Sequence, residues 1–352
     1  MNPRSRRTAA RLRPQVLGSP WGNGRRWRLN KRISCALLIV TLLVPSMVAS
    51  SVQGAFPGAN GMIVVWKGAR GHGDGHYGHE LYTVSPDGSN FVRLTHSDDS
   101  IWNTQATWSP DGQLVAYREK RSHPGDSYRI VVIDLKGNEV DAIAAPNGGF
   151  LSGPSWSPDG TKLVYARAGN IAVHEIGGSQ PDRLITSGKP QESLPVWSPD
   201  GTKLAFLRYI RDDFRLTVAR IDLSREQALT DAATMTPPQK SDWCPDWHPT
   251  KNRLVVTRRG GSLKSDEIVV INADTGVNRR LTDDRSASDW CPGFSPDGRD
   301  VVWERTVFKE YGYGIASNKL VRMRLSTGER TTVVASRQYL SEPDWQPLNE
   351  VP

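Results

Sequence analysis

The chain has 352 residues, of which 37% are hydrophobic, and its 32 glycines and 24 prolines argue for many turns and against long helices. The formal net charge is +8, but residues 1–32 hold nine arginines and Lys31 with no acid, and taking those ten positives away leaves −2. The basic balance therefore belongs to a leader, so no nucleic-acid partner is expected beyond a disordered basic arm.

After Lys31 and Arg32 comes ISCALLIVTLLVPSMVAS, residues 33–50. A basic region, an apolar core and a small-residue end make the pattern of an export signal. The core from Ala36 to Val44 falls short of the roughly 20 residues a spanning helix needs, although its flanks bring it close. A retained N-terminal anchor thus stands beside a cleaved signal. A buried helix fits poorly, because ten positives precede the segment and Pro45 breaks it. Arg25-Arg26 resembles a twin-arginine pair, but Arg28 occupies a place where that motif prefers an apolar residue. Cys35 opens the apolar run and does not follow it, unlike a lipoprotein cysteine. The expected organisation is a basic disordered leader (1–32), a signal or signal-anchor segment (33–50) and one folded domain (51–352). The product would be extracellular, periplasmic or anchored on the outer side of the cytoplasmic membrane, touching membrane only through 33–50 if uncleaved.

The rest of the chain is a repeat. WSPDG begins at Trp108, Trp156 and Trp197; Trp247 begins WHPTK, Phe294 begins FSPDG, Trp345 begins WQP and Phe56 begins a degraded FPGAN. The intervals are 52, 48, 41, 50, 47 and 51 residues, and a period of that size sets the architecture. Within each unit a short segment with proline two before the aromatic leads into the Pro-Asp-Gly turn. Apolar strands such as QLVAY and TKLAF follow, then alternating strands such as YRIVVIDL, and often a short VRLT or RRLT. Four short strands per unit fit about 48 residues, and no useful length shows a helical period. Proline presets one torsion, aspartate accepts downstream amides, and glycine takes the positive torsion of a tight hairpin. One large aromatic per unit reads as core between neighbouring sheets, not as a sugar platform.

A four-stranded sheet repeated six times can close on itself as a propeller, with only short edges exposed. The chain starts at the second strand of a unit, GMIVVW, and ends after a lone first strand, SEPDW. The predicted fold is therefore all-β: a six-bladed β-propeller of four-stranded blades, its ring closed by a C-terminal strand completing the N-terminal blade. An open solenoid is the alternative, and would need polar caps.

The series WSPDG-x-x-L-(V/A)-(Y/F), then I-x-V-x-(D/N), then R-L-T, resembles the WD40-like (PD40) repeats of TolB-like propellers over about residues 56–347. The motif is specific for fold and poor for function. Propellers of this kind include periplasmic proteins that make protein–protein contacts in envelope complexes, domains attached to serine peptidases, and sugar lyases. No separate α/β domain is expected before Gly61. No hydrolase domain is expected either, since seven residues follow Trp345 and no G-x-S-x-G elbow occurs.

The resemblance implies that first strands are innermost. SDWCPDWHP from Ser241 and SDWCPGFSP from Ser288 then place Cys244 and Cys291 at equivalent positions on adjacent blades. With Cys35 in the leader, two cysteines remain in the body, and a Cys244–Cys291 disulfide is expected; two buried free thiols are the alternative. Asp242 and Trp243, Asp289 and Trp290, Glu192, Asp246, Glu342 and Asp344 lie on these strands. They are candidates for an acidic channel rim that takes a cationic ligand, an arginine-rich peptide or a metal. Turn-capping acids at blade edges are the plainer reading.

The loop GHGDGHYGHE supplies His72, Asp74, His76, His79 and Glu80, a donor set suited to zinc, copper or nickel. Four glycines interrupt it, so a flexible exposed hairpin competes with a metal site. No other cofactor is expected, and neither a carboxylate pair nor a serine nucleophile can be assigned from spacing. The expected function is a protein-binding or scaffolding propeller at the cell envelope, with an envelope or extracellular protein or peptide as partner. The alternative is a metal-assisted polysaccharide lyase or glycoside hydrolase.

Overall fold

The repeated Ser-Pro-Asp-Gly stretch folds by its own side chains. Ser109 Oγ donates to Asp111 and accepts the Leu114 amide, while Asp111 Oδ1 accepts the Gln113 amide at 3.0 Å. Gly112 closes the turn at φ +67°, a torsion that costs other L-residues roughly 1–2 kcal/mol. The turns at Ser157, Ser198 and Ser295 repeat this bonding. Each turn sends the chain from a first strand ending in the aromatic into an antiparallel second strand.

The computed structural model describes residues 53–68, 78–122, 126–188, 190–225, 227–260, 265–308 and 315–348. All lie in one unit, Met47–Pro352. Strands are numbered along the chain from β1 (Gln53–Gly54) to β25 (Leu340–Leu348). Sheet I is β25, β2 (Ala59–Gly68), β3 (His79–Val84) and β4 (Val92–Arg93). Sheet II is β5 (Ile101–Trp108), β6 (Leu114–Arg121), β7 (Ser127–Asp134) and β8 (Glu139–Ala144). Sheet III is β9 (Leu151–Trp156), β10 (Lys162–Arg167), β11 (Asn170–Glu175) and β12 (Arg183–Leu184). Sheet IV is β13 (Glu192–Trp197), β14 (Lys203–Ile210), β15 (Asp213–Ile221) and β16 (Leu229–Thr234). Sheet V is β17 (Lys240–Trp247), β18 (Arg253–Gly260), β19 (Glu267–Asn272) and β20 (Asn278–Arg280). Sheet VI is β21 (Ser288–Phe294), β22 (Asp300–Phe308), β23 (Ile315–Arg324) and β24 (Arg330–Ser336).

Within each sheet the strands pair antiparallel in order. Sheets I and II are also joined by one parallel pair, His79 with Trp102. The C-terminal strand β25 pairs with β2, Trp345 opposite Ile63, and supplies the first strand of sheet I. Strand β1 adds to sheet V in parallel, Gln53 opposite Asp246.

The core lies in slices between successive sheets, one aromatic anchor per slice. Trp108 packs with Val64 and Leu81 of sheet I, Trp156 with Ala116 and Ile130 of sheet II, and Trp197 with Val164 and Ile171 of sheet III. Trp247 packs on Val196 and Leu207 of sheet IV, Phe294 on Val255 and Ile268 of sheet V, and Trp345 on Val302 and Leu320 of sheet VI. Phe56 is the exception to the anchor series. It precedes β2, stands on no first strand, and packs among Trp156, Leu163 and Tyr165, because β25 already provides sheet I with Trp345.

Every first strand also bulges three residues before its aromatic. Gln105, Gly153, Leu194, Cys244, Cys291 and Glu342 all have φ between +46° and +58°, and only one is glycine. The pairing register shifts at each of these places, as a bulge requires. Among the described residues no helix is long and apolar enough to cross a membrane.

Candidate functional site

Two sets of acids occupy the first strands, and the bulge separates them. Five residues before the aromatic, Glu192, Asp242 and Asp289 lie directly opposite Arg208, Arg258 and Arg305 of the second strand. Asp242 and Arg258 are both buried and bond bidentately, Nε to Oδ1 at 2.6 Å and Nη2 to Oδ2 at 2.8 Å, and Thr236 Oγ1 donates to Oδ2. Glu192 accepts from Arg208 Nη2 at 2.7 Å. Asp289 accepts from Trp303 Nε1 at 2.8 Å and pairs with Arg305 at 3.3 Å. Burial raises the Asp289 pKa and the Arg305 charge lowers it, with a net rise. A carboxylate leaves water only when such partners replace its hydration. These three acids are thus spent on arginines within their own sheets. The arginines went unread in the sequence, though the signal is there: Arg167, Arg208, Arg258 and Arg305 each stand eleven residues after their aromatic.

Beyond the bulge the acids serve the next sheet. Asp246 accepts the Phe294 amide at 2.6 Å and the Ala55 amide at 2.9 Å; Asp344 accepts the Trp108 amide at 2.7 Å. Glu342, on the bulge itself, accepts the Gln105 amide at 2.7 Å. Burial pushes the Asp344 carboxyl up to about 7, against the amides it accepts. Burial likewise pushes Glu342 up to about 8, opposed by the Arg118 guanidinium. It raises Asp246 well above the usual carboxylate range.

The bulge residues also link across sheets. Gln105 Oε1 accepts the Gly153 amide at 2.8 Å, Glu342 reaches Gln105, and Cys244 and Cys291 form a disulfide with Cα atoms 5.0 Å apart.

The end of the first strands away from the turns is aromatic. Trp243 is buried against Phe214, centroids 4.2 Å apart, and Phe214 contacts Tyr209 at 5.0 Å. The half-buried Trp290 carries Arg259 at 5.0 Å from its ring, and Lys120 sits 5.3 Å from the ring of Trp102. Tyr209, Phe308 and Tyr339 are exposed here at 39%, 46% and 44%. They are the aromatics among the exposed large hydrophobic residues described.

Of the loop donors, His72, Asp74 and His76 lie outside the described residues. His79 is stacked between Trp66 and Trp102, at 4.3 and 4.7 Å, and burial, then the Arg118 charge, pushes its imidazole down to about 4. Glu80 bonds Arg93 at 2.8 Å and the Ser97 amide at 2.7 Å. Among the described residues no three histidine, cysteine or acidic side chains cluster to hold a metal.

No protein-family model matches the chain, and no curated relative matches it. Solved structures do. TolB from Acinetobacter baumannii superposes with a TM-score of 0.62 and 18% identity, over 90% of this chain and 71% of that one. A chain of a nidogen/laminin complex superposes with a TM-score of 0.59 and 10% identity, over 82% of this chain and 100% of that one. An oligogalacturonate lyase in complex with manganese gives a TM-score of 0.48 at 16% identity, covering 79% of this chain and 75% of that one. The fold is a TolB-like β-propeller.

Proposed function

We propose that the chain is an exported, six-bladed propeller that docks an envelope or extracellular protein on the aromatic end of its first strands. The observation that carries this reading is the exposure of Tyr209, Phe308 and Tyr339 at that end of their sheets, an end that also carries half-buried Trp102 and Trp290 with their cations. Aromatic and guanidinium side chains are the types enriched where proteins bind proteins. With Asp242, Glu192 and Asp289 neutralised by arginine, such a surface would recognise apolar and aromatic anchors more than a bare cation.

Six blades and a closed ring are supported by the pairing of β25 with β2 and by the Trp345 slice, which joins sheet VI to sheet I. Export is supported by the inter-sheet disulfide, which persists in oxidising compartments. Residues 1–32 and 33–50 then direct export, and 51–352 form the propeller. A photocrosslinking amino acid at position 209, 308 or 339 in the native cell is expected to yield discrete protein adducts. The same probe at Val92, Leu184 or Val277, exposed elsewhere, should yield none. Equal adducts from both sets would remove the docking surface.

A further inference from the structure

Four units place serine directly after the aromatic, and two do not: His248 follows Trp247, and Gln346 follows Trp345. Serine folds back onto its own turn. The longer side chains instead reach the turn of the next sheet. Gln346 Nε2 donates to the Gly112 carbonyl at 2.8 Å. The His248 ring lies so close to Gly298 that a Cβ there would sit 2.6 Å from its Cε1. His248 Nδ1 accepts the amides of Thr250 and Lys251 at 3.2 and 3.1 Å, so the other ring nitrogen carries the proton. A cavity opens beside each: 550 Å³ between sheets I and II, and 890 Å³ between sheets V and VI.

The second cavity is lined by Lys251, Arg253, Arg279, Arg299 and Arg324, and among the described residues no carboxylate side chain shares the lining. Asp300 holds Arg324 at 3.0 Å from behind, and Asp297 offsets part of the Arg299 charge. At least three positives are left in excess, in a body whose sequence from residue 33 carries −2. Burial, then the Lys251 charge, pushes His248 down to about 4, so the cavity floor is neutral and its charge resides in the cations of the wall. Like charges held together are unfavourable unless an anion joins them.

We infer that the groove between sheets V and VI binds a small ligand carrying two phosphate groups. Each phosphate carries about −1.5 to −2, so two of them match the excess where a single carboxylate does not. Arginine presents the planar fork that takes phosphate oxygens two at a time. Val277 and Leu325 offer apolar surface to the carbon skeleton between or beyond the phosphates. The groove lies at the turn end of the sheets, opposite the aromatic end, so this ligand does not compete with a docked protein.

The test is calorimetric titration of the full chain with pyrophosphate and with inorganic phosphate at low salt. Pyrophosphate should bind one to one, at least tenfold more tightly than phosphate. The double variant Arg253→Gln/Arg299→Gln should lose at least tenfold, while Lys136→Gln in the other cavity should change nothing. Should the double variant fail to fold, Arg279→Gln on the exposed strand β20 carries the same reading with a severalfold loss. Co-sedimentation with neutral vesicles carrying a prenyl diphosphate would assign the source to a membrane. Binding to pyrophosphate without co-sedimentation would assign it to a soluble compound, and both support the site. Pyrophosphate binding no tighter than phosphate, or unchanged in both the double variant and Arg279→Gln, would overturn it.

Discussion

The interface between sheets V and VI and the interface between sheets I and II share one frame and fill it differently. At the bulge, the first holds the Cys244–Cys291 disulfide and the second holds Glu342 on the Gln105 amide. One residue before the aromatic, both carry aspartate: Asp246 takes the Phe294 amide, and Asp344 takes the Trp108 amide. One residue after it, His248 and Gln346 replace the usual serine, and a cavity follows in both cases. Yet one cavity is ringed by cations, whereas in the other Arg93 is paired with Glu80 and Lys136 is the other cation of the lining. The backbone frame thus decides where a cavity forms, and the side chains on the turns and strand ends beside it decide its charge.

The largest expected effect separates the two aspartates. Asp246 also holds the Ala55 amide and with it the N-terminal strand. Asp246→Ala strands two buried donors and should cost about 2–5 kcal/mol in urea denaturation, against about 1–3 kcal/mol for Asp344→Ala. Equal losses would mean that β1 contributes nothing to the V–VI side. Next, Cys244→Ala/Cys291→Ala should lower stability by about 2–4 kcal/mol, since the bond closes a segment with a sequence separation of 47. Reductant should then leave the unfolding midpoint of that variant unmoved.

The smallest effect is in pH. The folded pKa of Asp344 lies near 7, above its unfolded value of 3.8, so its protonated form favours the folded state. That contribution is fully present below pH 3.8 and is lost as pH rises through about 7. His79 and His248, pushed down to about 4, act in the opposite sense between pH 4 and their ordinary 6.5. The readout is therefore the difference between the wild type and Asp344→Asn, which keeps the acceptor for Trp108. Asp344→Asn should gain on the wild type by on the order of 1–3 kcal/mol from pH 5 to pH 8. A constant difference would mean that Asp344 does not titrate across this range.

Much of this is legible in the sequence. The aromatic-Ser-Pro-Asp-Gly series carries its own turn chemistry, and equal places in two repeats brought Cys244 and Cys291 together. Phe56 was misleading because a Phe-Pro-Gly sequence imitates an anchor, while β25 competes for the same place and wins with a full strand. The acids resisted reading for a different reason. Asp242 and Asp246 are four residues apart on one strand and would share a face in a regular pleat. The bulge at Cys244 breaks that alternation, so one turns to its own sheet's arginine and the other to the next sheet's amide.

By itself, the sequence determined the local matters: turn types, strand order within a unit, and the apolar residues that must be covered. These depend on neighbours a few positions apart, where torsional preference and hydrophobic period act directly. Tertiary structure alone decided which acids are neutralised and which cations converge at the V–VI groove. Those outcomes depend on pairs such as Asp344 with Trp108, 236 residues apart, whose meeting follows from sheet stacking and a bulge register that no local pattern encodes.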